Sequence, residues 1–289
     1  MRKPLFTGVC TALVTPFQNG EINYSMLEQL LNRQIQAGIP AVVIAGTTGE
    51  SPTLSDSEKI SLFQRCKEIV GNRCLIIAGT GSNNTAHSVE LSIAAEEAGA
   101  DGLLVVSPYY NKATPTGVYL HYQTICSATS LPVIVYNVPG RTGLDIPVSV
   151  YRQLSMIPNI AGVKEASSDI TKIAKIRIAC GEDFPIWSGN DDQIVPVMSI
   201  GGKGVISVLS NIKPKATKAM CDAALNGDYS TAAMLQCKYI PLIDFLFSEV
   251  NPIPVKAMMN AIGFDCGMCR LPLSGLSPEN VEKLHTLIE

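Results

Sequence analysis

Residues 74–107 read CLIIAGTGSNNTAHSVELSIAAEEAGADGLLVVS. The run Cys74 to Ala78 is apolar on both faces, as a strand buried in a parallel sheet must be. Asn84 opens a segment of helical period that closes at Gly99, and a second apolar run, Gly102 to Ser107, follows. Strand, helix and strand within about thirty residues make a βαβ unit.

The same alternation continues in both directions. Candidate strands run Gly8 to Val14, Ala41 to Ala45, Cys74 to Ala78, Gly102 to Ser107, Val133 to Asn137, Ile160 to Glu165, Pro185 to Ser188 and Gly204 to Val208. Between them, Asn23 or Ser25 caps a helix carrying Met26, Leu27, Leu30, Leu31 and Ile35, which Gly38 ends. Ser55 and Glu58 have capping-box spacing, and Pro147 suits a helical first turn. Eight units over about 220 residues predict an α/β fold of (β/α)8 TIM-barrel type with a C-terminal helical extension. An open doubly wound sheet is the alternative, but its GxGxxG fingerprint between first strand and first helix is absent. The expected division is a catalytic barrel over residues 1–227 and a helical domain over 228–289, with helices Tyr229 to Phe247, Pro254 to Ile262 and Pro278 to Ile288.

Composition excludes several classes of partner. The chain has 289 residues, 22 basic and 25 acidic side chains and a net charge of -3. With a pI near 5.7 it has no basic footprint for nucleic acid or an anionic membrane. A small-molecule ligand is expected. Nine cysteines, an odd number with a single CxxC spacing (Cys266 to Cys269) and no second pair, suit reduced thiols in a cytoplasmic protein rather than disulfides or structural zinc. The opening MRKPLFTGVCTALVTPF imitates a signal peptide, but Pro4, Thr7, Thr11 and Pro16 interrupt it. Ala113 to Gly140 lacks Asp, Glu, Lys and Arg until Arg141, yet its prolines and hydroxyls make a poor membrane span.

In a barrel, reactive groups sit at the carboxyl ends of strands. The second strand runs into Gly46-Thr47-Thr48-Gly49-Glu50-Ser51, whose glycines, hydroxyls and amides suit a carboxylate; a polar turn with a helix cap is the alternative. The fourth ends in Ser107-Pro108-Tyr109-Tyr110-Asn111. The fifth ends in Tyr136-Asn137-Val138-Pro139-Gly140-Arg141-Thr142-Gly143. Phenols relay protons, and an arginine on a flexible glycine-bounded loop captures carboxylates bidentately. Equally, Tyr136 fills the core and Arg141 is a solvated charge.

The sixth strand, Ile160-Ala161-Gly162-Val163-Lys164-Glu165, is the most informative. Strict alternation places Lys164 on one face with Gly162 and Ile160. A free lysine is neutral in about one molecule in 2,500 at pH 7, and a desolvating interior increases that fraction, as a Schiff-base nucleophile requires. The alternative is a lysine salt-bridged to a barrel carboxylate. Gly201-Gly202-Lys203-Gly204 looks like a phosphate loop but precedes the last strand and belongs to the opposite end of the barrel. His87, His121 and His285 show no metal spacing, so no metal is expected. Trp187 and the methionines read as packing.

Taken in order, GTTGES, SPYYN, YNVPGRTG, GVKEA, WSGND, GGKGVISV and, in the tail, NPIPVK resemble the dihydrodipicolinate synthase (4-hydroxy-tetrahydrodipicolinate synthase) family of pyruvate-dependent class I aldolases. The resemblance implies that Lys164 forms an imine with pyruvate, so no cofactor is needed. It implies a proton relay of Thr47, Tyr136 and Tyr110, with Tyr110 lent by a neighbouring subunit. Thr48 would bind the pyruvate carboxylate, Gly189 and Ile206 would line its pocket, and Arg141 would clamp aspartate semialdehyde. A homotetramer of two tight dimers is implied, although some members are dimers. Two other functions stand beside this one: an N-acetylneuraminate or 2-keto-3-deoxy sugar-acid lyase, and a barrel that binds a keto acid without turnover.

Feedback-inhibited members of the family bind free lysine at the dimer interface. Ser51, Asn83 and Tyr109 match that shell, whereas His87 replaces a glutamate and Lys59 replaces a histidine. With a cation and no compensating carboxylate there, weak or absent lysine inhibition is expected.

Overall fold

In the computed structural model, which describes residues 3–288, eight parallel strands close into a barrel. We label them β1 (Gly8–Ala12), β2 (Ala41–Ile44), β3 (Leu75–Gly79), β4 (Gly102–Val106), β5 (Val133–Asn137), β6 (Ile160–Glu165), β7 (Ile186–Ser188) and β8 (Gly204–Ser207). Each pairs with its successor, and β8 closes on β1 with Gly8 opposite Gly204. Glycine is required at that seam. A β-carbon on Gly204 would lie 1.8 Å from the Gly8 carbonyl oxygen.

Alternation along the strands divides the core in two. Ile134 and Tyr136 of β5 point into the barrel with Cys10, Val43, Trp187 and Ile206. Val133 and Val135 face the surrounding helices with Val42, Ile76 and Val105. Trp187 stacks on Phe6 with ring centres 4.7 Å apart and donates from its indole to the Phe6 carbonyl, closing the barrel floor. Its expected role in packing is borne out.

The helices begin where the sequence places their caps. Asn23 accepts from the Met26 amide, Asn84 from the Ala86 amide, and Ser55 with Glu58 forms the complete capping box. Pro147 is the N-cap residue of Val148–Leu154, one position before the first turn. The C-terminal region is helical, with Tyr229–Leu246, Ile253–Ala261 and Pro278–Ile288. No helix among the described residues is long and apolar enough to cross a membrane. None of the nine cysteines, all among the described residues, forms a disulfide.

Two local expectations need correction. A register shift between β5 and β6 pairs Val133 with Ile160 but Ile134 with Gly162, so Ala161 has no opposite residue. This irregularity turns Ile160 outward into the helix layer while Gly162 and Lys164 stay inside. Strict alternation had put all three together. Secondly, Pro139–Thr142 is a helical turn capped by left-handed Gly143, so Arg141 is not on a flexible loop.

Candidate active site

The buried lysines among the described residues are Lys59, Lys164, Lys172 and Lys256. Lys59 lies 3.6 Å from Asp56, Lys172 pairs with Asp145 and Glu165, and Lys256 lies 2.9 Å from Glu50. Lys164 has no carboxylate partner among the described residues. Its ammonium instead lies 4.1 Å from the centre of the Tyr136 ring. Burying an unpaired ammonium is costly, and a cation–π contact offsets only part of that cost. The salt-bridged alternative therefore fails for Lys164, and it holds for the other three.

Neighbouring strands position this lysine. Lys164 sits opposite Tyr136 of β5 and opposite Trp187 of β7 in the barrel register. Beside it the chain turns at Gly189, where a β-carbon would come within 3.2 Å of Lys164 Cε and 2.5 Å of the Ala166 β-carbon. Any larger residue at 189 would intrude on the lysine stem. Ile206 of β8 is buried on the same interior face. The next residue, Glu165, points the other way and accepts from Asn137, Tyr151 and the Ser167 amide. These bonds tie the ends of β5 and β6 together directly behind Tyr136 and Lys164.

A cavity of about 590 Å³ opens at the carboxyl end of the barrel. Thr47, Tyr136 and Arg141 line it together with Ser51, Asp56, Lys59, His87 and Tyr109. Thr47 and Tyr136 are thus brought to one space, with no direct hydrogen bond between their hydroxyls. Thr48 is buried at 3 % exposure and receives a hydrogen bond from Asn251. Tyr110 is not in this cavity. It stands 88 % exposed on a left-handed backbone at the tip of the loop after β4. Asn83 does not line the cavity either; its carbonyl accepts from the Asn111 amide.

Sequence reasoning missed three contributions. The first is Asp56, whose carboxylate lies 2.9 Å from His87 Nε2 and 3.6 Å from Lys59 Nζ. The expected absence of a compensating carboxylate beside Lys59 is therefore wrong. Asp56 occupies the first turn of the helix that Ser55 caps, at i,i+3 spacing to Lys59. The second is Asp191, fully buried, which accepts from the Val208 and Leu209 amides at 2.9 Å each and so joins the end of β7 to the end of β8. Burial raises its pKa.

The third is the C-terminal region. Gln236 donates to the Asp191 carbonyl, Asn251 bonds Thr48 and Arg141, and Lys256 bonds Glu50 in the GTTGES segment. Arg270 completes this frame by donating its backbone amide to Glu50 and its guanidinium to Glu58. That pairing with Arg270 holds the Glu58 carboxyl down at about 2.

The model of the Dihydrodipicolinate synthetase family matches residues 5–289. The chain belongs to this family. It is an enzyme, an aldolase-type lyase. Family members resemble it along their whole length: the 4-hydroxy-tetrahydrodipicolinate synthase of Acetivibrio thermocellus is 47% identical over 289 residues, covering 100% of this chain and 98% of that one. The solved structure of the 4-hydroxy-tetrahydrodipicolinate synthase from Methylacidiphilum fumariolicum SolV superposes with a TM-score of 0.96 at 42% identity, covering 98% and 95% of the two chains. A family variant described as monomeric superposes with a TM-score of 0.95, also at 42% identity, over 98% and 96%.

Proposed function

We propose that this chain condenses pyruvate with L-aspartate 4-semialdehyde as a 4-hydroxy-tetrahydrodipicolinate synthase, in the formation of diaminopimelate and lysine. The observation that carries this is Lys164, a buried lysine without a carboxylate partner, at the carboxyl end of β6 and against the Tyr136 ring.

In this mechanism Lys164 Nζ attacks the ketone carbon of pyruvate, and loss of water leaves a protonated imine. The cation acidifies the adjacent methyl group, which gives up a proton to form the enamine. That carbon attacks the aldehyde carbon of the semialdehyde, and the new alkoxide takes a proton. The amine of the incoming half then attacks the former ketone carbon, closing the ring and displacing Lys164. No metal or organic cofactor takes part. Tyr136 and Thr47, which share the cavity, move the protons. Thr48 holds the pyruvate carboxylate, Arg141 holds that of the semialdehyde, and Gly189 and Ile206 shape the pyruvate pocket.

Tyr110, which stands exposed and does not line its own subunit's cavity, completes the relay of a partner subunit. The working form is accordingly a homo-oligomer, a tetramer of two tight dimers, in the cytoplasm. Free lysine is a weak inhibitor or none. Lys59 keeps a buried ammonium in the cavity wall, and the nearby Asp56 is already shared between Lys59 and His87. An incoming ammonium would have to compete for that carboxylate.

Borohydride reduction in the presence of pyruvate tests the central step. A stable adduct on Lys164, absent in Lys164→Ala, is expected. An unmodified wild-type lysine would end the proposal.

A further inference from the structure

Asn251 lies in the connection between helices Tyr229–Leu246 and Ile253–Ala261, outside the eight βα units, and is 5 % exposed. Its side-chain amide donates to Thr48 Oγ1 at 3.0 Å, and its backbone carbonyl accepts from the Arg141 guanidinium at 3.1 Å. One residue therefore touches both groups to which substrate carboxylates are assigned above. Thr48 Oγ1 makes no other hydrogen bond among the described residues.

The direction of the first bond matters. A threonine hydroxyl has one proton and two lone pairs, whereas an amide NH₂ can only donate and a carboxylate can only accept. With a lone pair occupied by Asn251, the Thr48 hydroxyl retains its proton for an acceptor. A carboxylate is such an acceptor. Were the partner an acceptor instead, the same proton would be consumed inside the protein and the hydroxyl would present lone pairs to an anion.

We propose that Asn251 is a positioning residue that sets the hydrogen-bond polarity of Thr48, keeping its hydroxyl proton available to the substrate carboxylate. The backbone of the same residue holds Arg141, so the two carboxylate sites are seated on one C-terminal segment. This inference rests on the assignment of Thr48 to pyruvate.

Two substitutions test it, with the pyruvate dependence of borohydride trapping at Lys164 as the measurement. Asn251→Asp keeps the shape but accepts from Thr48, and should raise the half-saturating pyruvate concentration by about tenfold or more. Asn251→Ala merely releases the hydroxyl and should raise it by about threefold. Both should reach wild-type trapping at saturating pyruvate, and on a Thr48→Val background Asn251→Asp should have little further effect. Unchanged half-saturation in Asn251→Asp would overturn the inference, as would a loss of maximal trapping and thermal stability without a shift in half-saturation, the mark of a purely structural role. Wild-type protein that traps no pyruvate would instead sink the aldolase assignment itself, and this inference with it.

Discussion

Replacing Lys256 with methionine should destabilise the protein and loosen the loop that carries Thr47 and Thr48. The Lys256 ammonium is buried at 1 % exposure, 2.9 Å from Glu50 Oε1, 3.0 Å from the Met268 carbonyl and 4.4 Å from the centre of the Phe17 ring. Glu50 is equally hidden at 2 % exposure and adopts a left-handed backbone, φ 59°. Its second oxygen accepts the Arg270 amide at 2.8 Å, and the Cys269 thiol also hydrogen-bonds the carboxylate. Without Lys256 a buried carboxylate keeps only neutral donors, the Arg270 amide and the Cys269 thiol.

Breaking a buried pair from one side costs about 3–5 kcal/mol, mainly because the remaining charge is stranded. For a chain of this size each kcal/mol lowers Tm by about 2 °C, so Lys256→Met should lose roughly 6–10 °C in a thermal melt. The double variant Lys256→Met/Glu50→Gln removes both charges and should recover more than half of that loss, a coupling of several kcal/mol in a double-mutant cycle. Its KM for pyruvate should also lie nearer the wild-type value than that of the single variant. A single-variant shift below about 2 °C, or a double variant as unstable as the sum of the singles, would refute the claim that this pair anchors the loop.

Arg141→Ala should raise KM for the semialdehyde by about tenfold or more while borohydride trapping of pyruvate stays near wild type; equal loss of both would show that Arg141 is not specific to the second substrate. Acid should destabilise the protein through His121, which is buried with Nε2 unpartnered and pushed from 6.5 down to about 4 by burial. The unfolded chain binds this proton at the higher pKa, so stability should fall as pH drops from about 6.5 toward 4, by on the order of 3 kcal/mol in all. His121→Gln should flatten that part of a urea-midpoint profile, and parallel profiles would refute it. Titration with free lysine should leave activity nearly unchanged at sub-millimolar concentrations; inhibition in that range would show that the Asp56, Lys59 and His87 cluster still accepts an ammonium.

The barrel was legible because buried parallel strands leave a strong signature. Val133 to Asn137 and Ile160 to Glu165 were located to the residue, and the caps at Asn23, Ser55 and Asn84 act over two or three residues of local sequence. The irregularity at Ala161 was not legible, since it depends on how β6 meets β5 rather than on either strand alone. Lys164 stood out as a charge within an apolar run. Its lack of a partner could be established only by seeing where Asp56, Asp145, Glu165 and Glu50 had gone. The short helical turn at Arg141 was likewise hidden by its glycines and proline, which also read as loop.

The C-terminal region lies outside the eight βα units, yet its side chains reach across the barrel mouth. Gln236 holds the Asp191 segment after β7, Asn251 holds Thr48 and Arg141, and Lys256 with Arg270 holds Glu50. These contacts join residues more than forty and up to about two hundred positions apart, so no local pattern announces them. Their common effect is geometric. A chain with a net charge of -3 has no general field to attract anions, so under the proposed function the recognition of two carboxylates depends on a few donors being fixed in place. Strand ends alone fix Lys164 and Tyr136 through β-sheet register, but Thr48 and Arg141 lie beyond the last ladder bonds. They need an external frame, and the tail supplies it with buried donors and acceptors. On the proposed function, reaction chemistry rests on the barrel, whereas the placing of carboxylates rests on the segment from Gln236 to Arg270.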